Sequence, residues 1–135
     1  METPKLTLRV ELGSGHALGP GKIRLLEAID KTGSISQAGR SLGMSYRRAW
    51  LLVDDMNHCF RDPVIEARQG GAHGGGTTLA PLGKKLVERY HAIEAAALAA
   101  TSKHLHDIKA SLKGSQASRP PTSIKRPLRT TTERR

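Results

Sequence analysis

Tyr46, Arg47 and Arg48 follow one another in the chain, and their chemistry suits the recognition of anions rather than catalysis. The planar guanidinium group of arginine matches a phosphate, or the O6 and N7 atoms of guanine, through two hydrogen bonds at once. Ser45 precedes them, and serine is a favoured residue at the position before the first turn of a helix. The cluster therefore predicts a helix whose first turn presents anion-binding side chains.

The other potentially reactive side chains show no pattern typical of catalysis or metal binding. His104 and His106 fall on different faces of a helix, whereas two zinc ligands on one helix need a spacing of four. Cys59 has no evident base beside it, and the adjacent carboxylates of Asp54 and Asp55 point apart on a helix. We therefore predict no enzyme, no metal site and no cofactor.

A short helix is predicted directly before the cationic one. Ser34 is its expected N-cap, and Gly43 supplies the left-handed conformation that ends it. Apolar residues repeat at spacings of three and four in both helices: Ile35, Ala38 and Leu42, then Ala49, Val53 and Met56. Two short helices joined by a tight turn are typical of a helix-turn-helix that reads DNA. The alternative is an ordinary helical hairpin with a solvated arginine pair.

Two strands around a glycine-rich loop are predicted next. Residues 63–69 form a strand that starts at Pro63, residues 70–76 form a loose turn, and residues 77–79 form the returning strand. The glycines do not fit a nucleotide-binding loop, because no helix with the required Lys-Ser or Lys-Thr follows. A hairpin after the cationic helix predicts a winged helix, with Arg68 and His73 beside the loop.

The order of these motifs resembles the N-terminal DNA-binding domain of the molybdate-responsive ModE regulators, and more loosely that of LysR-type regulators. The resemblance covers roughly residues 18–100, through the run at 32–37, the Ser-Tyr-Arg-x-Ala-Trp stretch at 45–50 and the glycine-rich loop. Trp50 belongs to the pattern and either packs under the wing or faces DNA. The residues expected to contact DNA are Ser34, Ser36, Gln37, Ser45, Tyr46, Arg47, Arg48, Arg68 and His73.

The chain departs from that family in one respect. ModE regulators carry a second half of oxyanion-binding repeats, recognised by a Ser-Ala-Arg-Asn motif that is absent here. The resemblance thus implies a DNA-binding half that stands alone. We expect duplex DNA and a second copy of the chain as partners, and no small-molecule ligand, molybdate included.

Charge and composition set further expectations. The chain has 135 residues and a net charge of +10, and residues 113–135 hold seven basic residues and one acid. This segment is rich in Ser, Thr and Pro, which predicts a disordered basic tail. The single cysteine fits a reducing compartment, and no apolar run has the length of a membrane span. These features predict a cytoplasmic protein without membrane contact.

The remaining segments complete the predicted fold. Residues 5–12 alternate between apolar and polar and predict a strand that pairs with the wing or a partner chain. Residues 22–31 predict a helix ended by Gly33. Residues 81–112 predict a long dimerisation helix, with a break near Thr101 as an alternative. The fold class is then mainly α with a small β wing, in one domain over residues 1–112. Two alternative functions remain open: an interaction subunit that pairs through the long helix, and a molybdate- or oxyanion-linked sensor component.

Overall fold

The computed structural model describes residues 3–71 and 74–114. The elements, in chain order, are β1 (Val10–Gly13), β2 (His16–Leu18), α1 (Pro20–Thr32), α2 (Ile35–Ser41), α3 (Tyr46–Cys59), β3 (Ile65–Gly71), β4 (Gly74–Leu79) and α4 (Pro81–Ala110). The strands form two separate antiparallel sheets, β1 with β2 and β3 with β4. Within the two described ranges, no helix has both the length and the apolar character that crossing a bilayer requires. The predicted disordered tail lies almost entirely outside the described residues.

The predicted fold class is wrong for this chain. A mainly α winged helix-turn-helix with one β wing and a long dimerisation helix contains a single small sheet, whereas the described residues form four helices and two sheets. The second sheet arises because residues 13–15 all have positive φ, at 95°, 54° and 81°. Backbone of that kind reverses the chain at once. Val10 therefore pairs with Leu18 of the same chain, and not with the β3–β4 hairpin.

The strand predicted over residues 5–12 is also displaced, since β1 covers only Val10–Gly13. Its alternation is confirmed as far as Val10, because Leu6, Leu8 and Val10 are half-buried while the residues between them are exposed. The buried hydroxyl of Tyr90 in α4 donates a hydrogen bond to the carbonyl oxygen of Leu8. This contact attaches the N-terminal segment to α4.

The predicted helix ends near the arginines are confirmed. The Ser34 hydroxyl accepts a hydrogen bond from the Gln37 N–H at 3.1 Å, which caps α2. The Ser45 hydroxyl accepts one from the Arg48 N–H at 3.0 Å, which caps α3. Gly43, between the two helices, has the expected left-handed φ of 72°. Serine capping and one glycine thus fix where α3 begins.

The apolar core lies within one of the two units into which the chain divides, residues 5–101. A Cβ atom on Gly39 would lie only 2.9 Å from the Cβ of Ala49, so α2 and α3 approach closely at these two small residues. The other unit comprises residues 1–4 and 102–135. The buried core residues include Ile23, Leu25, Leu26, Ile29, Ile35, Ala38, Ala49, Val53, Met56, Val64, Ile65, Leu79 and Tyr90.

Helix α4 continues through the point where a break was predicted. The Thr101 hydroxyl donates a hydrogen bond to the Ala97 carbonyl at 2.7 Å, so the threonine is satisfied within the helix. The hairpin strands also differ from their predicted bounds, since β3 starts at Ile65 rather than Pro63 and β4 starts at Gly74 rather than at residue 77. Most of the residues predicted as a loose turn therefore lie in the two strands. Helix α1 begins earlier than expected, because Pro20 occupies its first turn, where proline loses no hydrogen bond.

Candidate functional site on helix α3

Helix α3 is held in place near its C-terminal end by the side chain of Asn57. The Oδ1 atom accepts hydrogen bonds from the N–H groups of Val64, at 2.8 Å, and Ile65, at 3.1 Å. The Nδ2 atom donates to the Ile65 carbonyl at 3.1 Å. One amide thus satisfies three backbone groups at the start of β3, which fixes the helix against the hairpin.

A second anchor joins α3 to α1. The Lys22 ammonium donates to the Asp55 carboxylate at 2.6 Å and to the Ala17 carbonyl at 2.8 Å. The Lys22 side chain is only 16% exposed, so its charge is compensated by an anion in a partly desolvated position. Removal of either partner would leave the other charge without compensation on the packed side of the helix.

The opposite face of α3 presents large side chains to solvent. Tyr46 is 64% exposed, Trp50 44% and Leu51 54%. Residues at a spacing of four lie on the same helix face, which places Tyr46, Trp50 and Asp54 in one row and Arg47 and Leu51 in the next. These five residues line a shallow depression of about 340 Å³, here called the α3 cleft.

The two rings of the α3 cleft stand at an angle to one another. Their centroids lie 6.1 Å apart and their planes are inclined by 60°, an edge-to-face arrangement. Neither ring belongs to the buried core. Of the two alternatives considered for Trp50, packing under the hairpin does not agree with its 44% exposure.

The charges at the start of α3 are arranged to attract an anion. Arg47 and Arg48 lie in the first turn, where the helix dipole is positive and where cations disfavour the helix slightly. In the part of the chain that the structure describes, neither guanidinium has an ion-pair partner. Positive charge without compensation at a helix N-terminus is favourable for binding an oxyanion.

The structure brings together only some of the residues predicted as a site. Ser45, Tyr46, Arg47 and Arg48 lie side by side at the start of α3, although the Ser45 hydroxyl is used in capping. Three others lie at the start of α2, where Ser34 is likewise a cap. They are Ser34, Ser36 and Gln37.

Arg68 occupies a separate position in β3, where its Cα pairs with Gly76 of β4. Its guanidinium passes so close to Gly33 and Gly76 that a Cβ atom on either glycine would collide with it. The Gly33 carbonyl also accepts a hydrogen bond from the Thr77 N–H at 3.0 Å, which joins α1 to the hairpin. His73, the remaining predicted contact, lies outside the described residues.

Leu51 and Asp54 complete the α3 cleft but were not predicted as site residues. The available signal was the spacing: Leu51 follows Arg47 by four, and Asp54 follows Trp50 by four. In the sequence, Asp54 was considered only together with Asp55, as adjacent carboxylates that point apart on a helix and form no catalytic pair. The structure separates the two roles, because Asp55 pairs with Lys22 while Asp54 lies on the open face.

The titratable groups with shifted pKa values lie away from the α3 cleft. Hydrogen bonds to Glu27 and Glu94 raise the pKa of His91, with Nε2 2.7 Å from a Glu27 oxygen and Nδ1 2.8 Å from a Glu94 oxygen. Burial raises the pKa of the Tyr90 hydroxyl, and burial with the neighbouring Asp55 raises the pKa of the Cys59 thiol. A thiol of raised pKa is a poor nucleophile at neutral pH.

Comparison with known proteins relates the chain to molybdenum proteins, while no family model matches it. It is 48% identical over 82 residues to the molybdenum-pterin-binding protein MopB of Rhodobacter capsulatus, which is 61% of this chain and 30% of that protein. It is 42% identical over 80 residues to the molybdenum transport protein ModE of Azotobacter vinelandii, 59% of this chain and 30% of the relative. It is 33% identical over 94 residues to the transcriptional regulator ModE of Haemophilus influenzae, 70% of this chain and 37% of the relative.

The chain thus spans about a third of the length of the curated relatives it matches. Their names describe regulators, a transport protein and binding proteins, and none of these three names is that of an enzyme. The alignments with MopB and with the two ModE proteins all cover more than half of this chain.

These matches correct three statements made from the sequence. The identification as a ModE-type DNA-binding half without a molybdenum function is wrong, because proteins named for molybdenum and pterin binding align over 61% of the chain. The description as a DNA-binding helix-turn-helix regulator loses its support on the same ground. The predicted partners, duplex DNA without a small-molecule ligand, are wrong as well, since relatives are named for a molybdenum-related ligand.

Proposed function

We propose that this chain is a molybdenum-linked sensor component, which binds an oxyanion of molybdenum and conveys its presence within a regulatory system. The observation that carries the proposal is the 48% identity with a molybdenum-pterin-binding protein, supported by the relatives named ModE. The proposal is non-enzymatic: binding changes what the protein does, and no bond of the ligand is broken. A cytoplasmic location is proposed with it.

The charges of the chain fit an oxyanion as ligand. Molybdate is a tetrahedral dianion that offers four oxygen atoms to hydrogen-bond donors and carries no proton at neutral pH. Arg47 and Arg48 each supply a planar donor group in the first turn of α3, without an ion-pair partner among the described residues. The net charge of +10 favours the approach of anions of any kind, so selectivity must come from the local donors.

Calorimetric titration of the full chain with sodium molybdate tests the proposal. We expect saturable binding of molybdate, similar binding of tungstate, and weaker binding of sulfate, which is a smaller tetrahedral dianion. A melting temperature that rises with molybdate would agree, since saturation at one hundred times Kd stabilises a protein by about 2.7 kcal/mol. No heat and no melting shift at millimolar molybdate would overturn the proposal.

Two variants separate a local site from general attraction of anions. Replacement of both Arg47 and Arg48 by Ala should remove most molybdate binding. Replacement of both Lys5 and Arg9 by Ala also removes two positive charges, but from exposed side chains outside the α3 cleft. If the affinity for molybdate falls equally in both variants, molybdate binding depends only on the net charge of the protein.

Duplex DNA serves as the competing ligand in the same experiment. Tight binding of a duplex that depends on Arg47, together with no binding of molybdate, would contradict the proposed function. It would return the α3 face to the role that was predicted from the sequence. Molybdate binding that is the same with and without duplex DNA would support the proposed sensor function.

A further inference from the structure

We propose that Glu27, His91 and Glu94 form a proton-dependent bridge between α1 and α4, which tightens when the imidazole ring is protonated and loosens when the ring is neutral. These three side chains are here called the His91 bridge. None of them lines the α3 cleft, and the proposal does not depend on the proposed molybdenum-linked function. The His91 bridge makes the attachment of α4 to α1 sensitive to pH.

Both ring nitrogens of His91 face a carboxylate oxygen at hydrogen-bond distance. Nε2 lies 2.7 Å from Oε2 of Glu27 in α1, and Nδ1 lies 2.8 Å from Oε1 of Glu94 in α4. An ionised carboxylate only accepts hydrogen bonds, so each nitrogen must carry a hydrogen to bond its partner. The geometry therefore requires the charged imidazolium, because a neutral ring has a single N–H group.

Loss of the proton changes the number of hydrogen bonds that the ring can make. A neutral ring donates to one carboxylate only, and the lone pair of its other nitrogen then faces an oxygen that also lacks a hydrogen. The two carboxylates also repel each other once no cation lies between them. In the neutral form one carboxylate must therefore turn toward water, and the arrangement of the three side chains changes.

The two carboxylates belong to different helices, which gives the His91 bridge its structural effect. Glu94 follows His91 by three on α4, a spacing at which side chains are neighbours on any helix. Glu27 lies 64 residues before His91, so its bond joins two helices. The adjacent Tyr90 is buried, and its hydroxyl donates to the Leu8 carbonyl. Tyr90 and His91 thus attach one turn of α4 to the N-terminal segment and to α1.

The charged groups around the ring favour its protonated form. Those that act on it are Glu27 from α1 and Glu94 from its own helix, while Arg24 of α1 is the cation that acts on the neighbouring Tyr90 hydroxyl. Hydrogen bonds to Glu27 and Glu94 raise the pKa of His91 above its ordinary value of 6.5. The His91 bridge is therefore complete below pH 6.5 and is lost as pH rises through the raised pKa of the folded protein.

An NMR titration of the full chain, with the histidine rings labelled with nitrogen-15, tests the role of Glu27. The His91 signals are assigned by their absence from His91→Gln. We expect both ring nitrogens to be protonated at pH 6, and Glu27→Gln to move the loss of the proton to lower pH. Glu88→Gln is the matched control, since it also removes an acid from α4, but from a side chain that is 71% exposed and pairs with Arg89. It should leave the His91 transition unchanged.

A double-mutant cycle tests whether the contact between the two helices depends on the proton. Urea unfolding is measured at pH 6 and pH 9 for the original protein, His91→Gln, Glu27→Gln and the variant with both substitutions. At pH 6 the coupling between the substitutions should change the unfolding equilibrium constant by about 1.4-fold to 5-fold, the range for a partly exposed ion pair. At pH 9 the factor should fall toward one.

The outcomes decide the inference independently of molybdate binding. A selective shift of the His91 transition by Glu27→Gln, with a coupling that is larger at pH 6 than at pH 9, supports the His91 bridge. Equal shifts in Glu27→Gln and Glu88→Gln would overturn it, because the ring would then respond only to the net charge of the protein. A coupling of the same size at both pH values would also overturn it, since the contact would not depend on the proton.

Discussion

Helix α3 has two faces that are built by different physical means. Its packed face is apolar and its polar groups are compensated, through the Lys22–Asp55 ion pair and the three hydrogen bonds of Asn57. Its open face carries two exposed rings and a cation without an ion-pair partner among the described residues. The separation implies that stability and ligand binding can be changed independently by mutation.

The largest expected effect on the free energy of unfolding is at Gly83, a buried residue of α4. A Cβ atom there would collide with the Val64 carbonyl oxygen, which already accepts a hydrogen bond from the Ala80 N–H. Because backbone must move to make room, Gly83→Ala should lower the free energy of unfolding by about 1–3 kcal/mol or more. Urea denaturation followed by circular dichroism measures the change.

Gly21→Ala is the matched control for that substitution. Gly21 also lies in a helix, but a Cβ atom there would meet nothing within 4 Å. Alanine has the higher helix propensity, so this variant should be unchanged or more stable by up to about 1 kcal/mol. If both variants lose the same free energy of unfolding, the close approach of Gly83 to the Val64 carbonyl oxygen does not explain the loss.

The second-largest effect on the free energy of unfolding is expected at Asn57, which anchors α3 to the start of β3. Asn57→Ala should cost about 1–3 kcal/mol, because the N–H groups of Val64 and Ile65 lose their acceptor. Asn57→Asp keeps the acceptor oxygen and should recover part of the loss. If both variants melt like the original protein, the anchor does not contribute to the stability of the packed face.

A smaller effect is expected where α1 meets α4, at His91. Its raised pKa means that the protonated ring, bonded to Glu27 and Glu94, stabilises the folded state. The contribution is complete below about pH 6.5, the ordinary pKa of histidine, and is lost as pH rises through the raised pKa of the folded protein. Because the ring is 49% exposed, the contribution should be only about 0.2–1 kcal/mol.

Thermal unfolding at several pH values between 6 and 9 checks this prediction. The difference in melting temperature between the original protein and His91→Gln should shrink as pH rises. A constant difference over that range would show that the ring acts by packing rather than through its charge.

The smallest effect on stability is expected on the open face. Arg47→Ala and Trp50→Ala should each change the free energy of unfolding by less than about 0.5 kcal/mol, as is usual for exposed positions. Arg47→Ala should nevertheless reduce molybdate binding. A large loss of stability in either variant would contradict the separation between the two faces of α3.

Local features of the fold could be predicted from the sequence where one residue type determines the backbone. Ser34, Ser45, Gly33 and Gly43 mark helix ends by capping and positive φ, and all four behave as expected. The apolar stripe of α3 was equally clear, because a spacing of three and four has a single helical interpretation. These predictions depend on neighbours in the chain alone.

Features that depend on distant contacts could not be predicted in the same way. The pairing of β1 with β2 depends on three consecutive left-handed residues, one of them Ser14, which has no strong preference for that conformation. The role of Asn57 depends on the position of β3 in space. The cleft was missed in part because charge and aromatic content were interpreted as a DNA-reading surface, without regard to Leu51 and Asp54.

Calorimetric titration with molybdate of the original protein, compared with the variant in which Arg47 and Arg48 are both Ala, tests the central claim most directly. We predict saturable binding by the original protein, weaker binding of sulfate, and loss of binding in the variant with an unchanged melting temperature. Absence of molybdate binding by the original protein, at concentrations up to the millimolar range, would contradict the account.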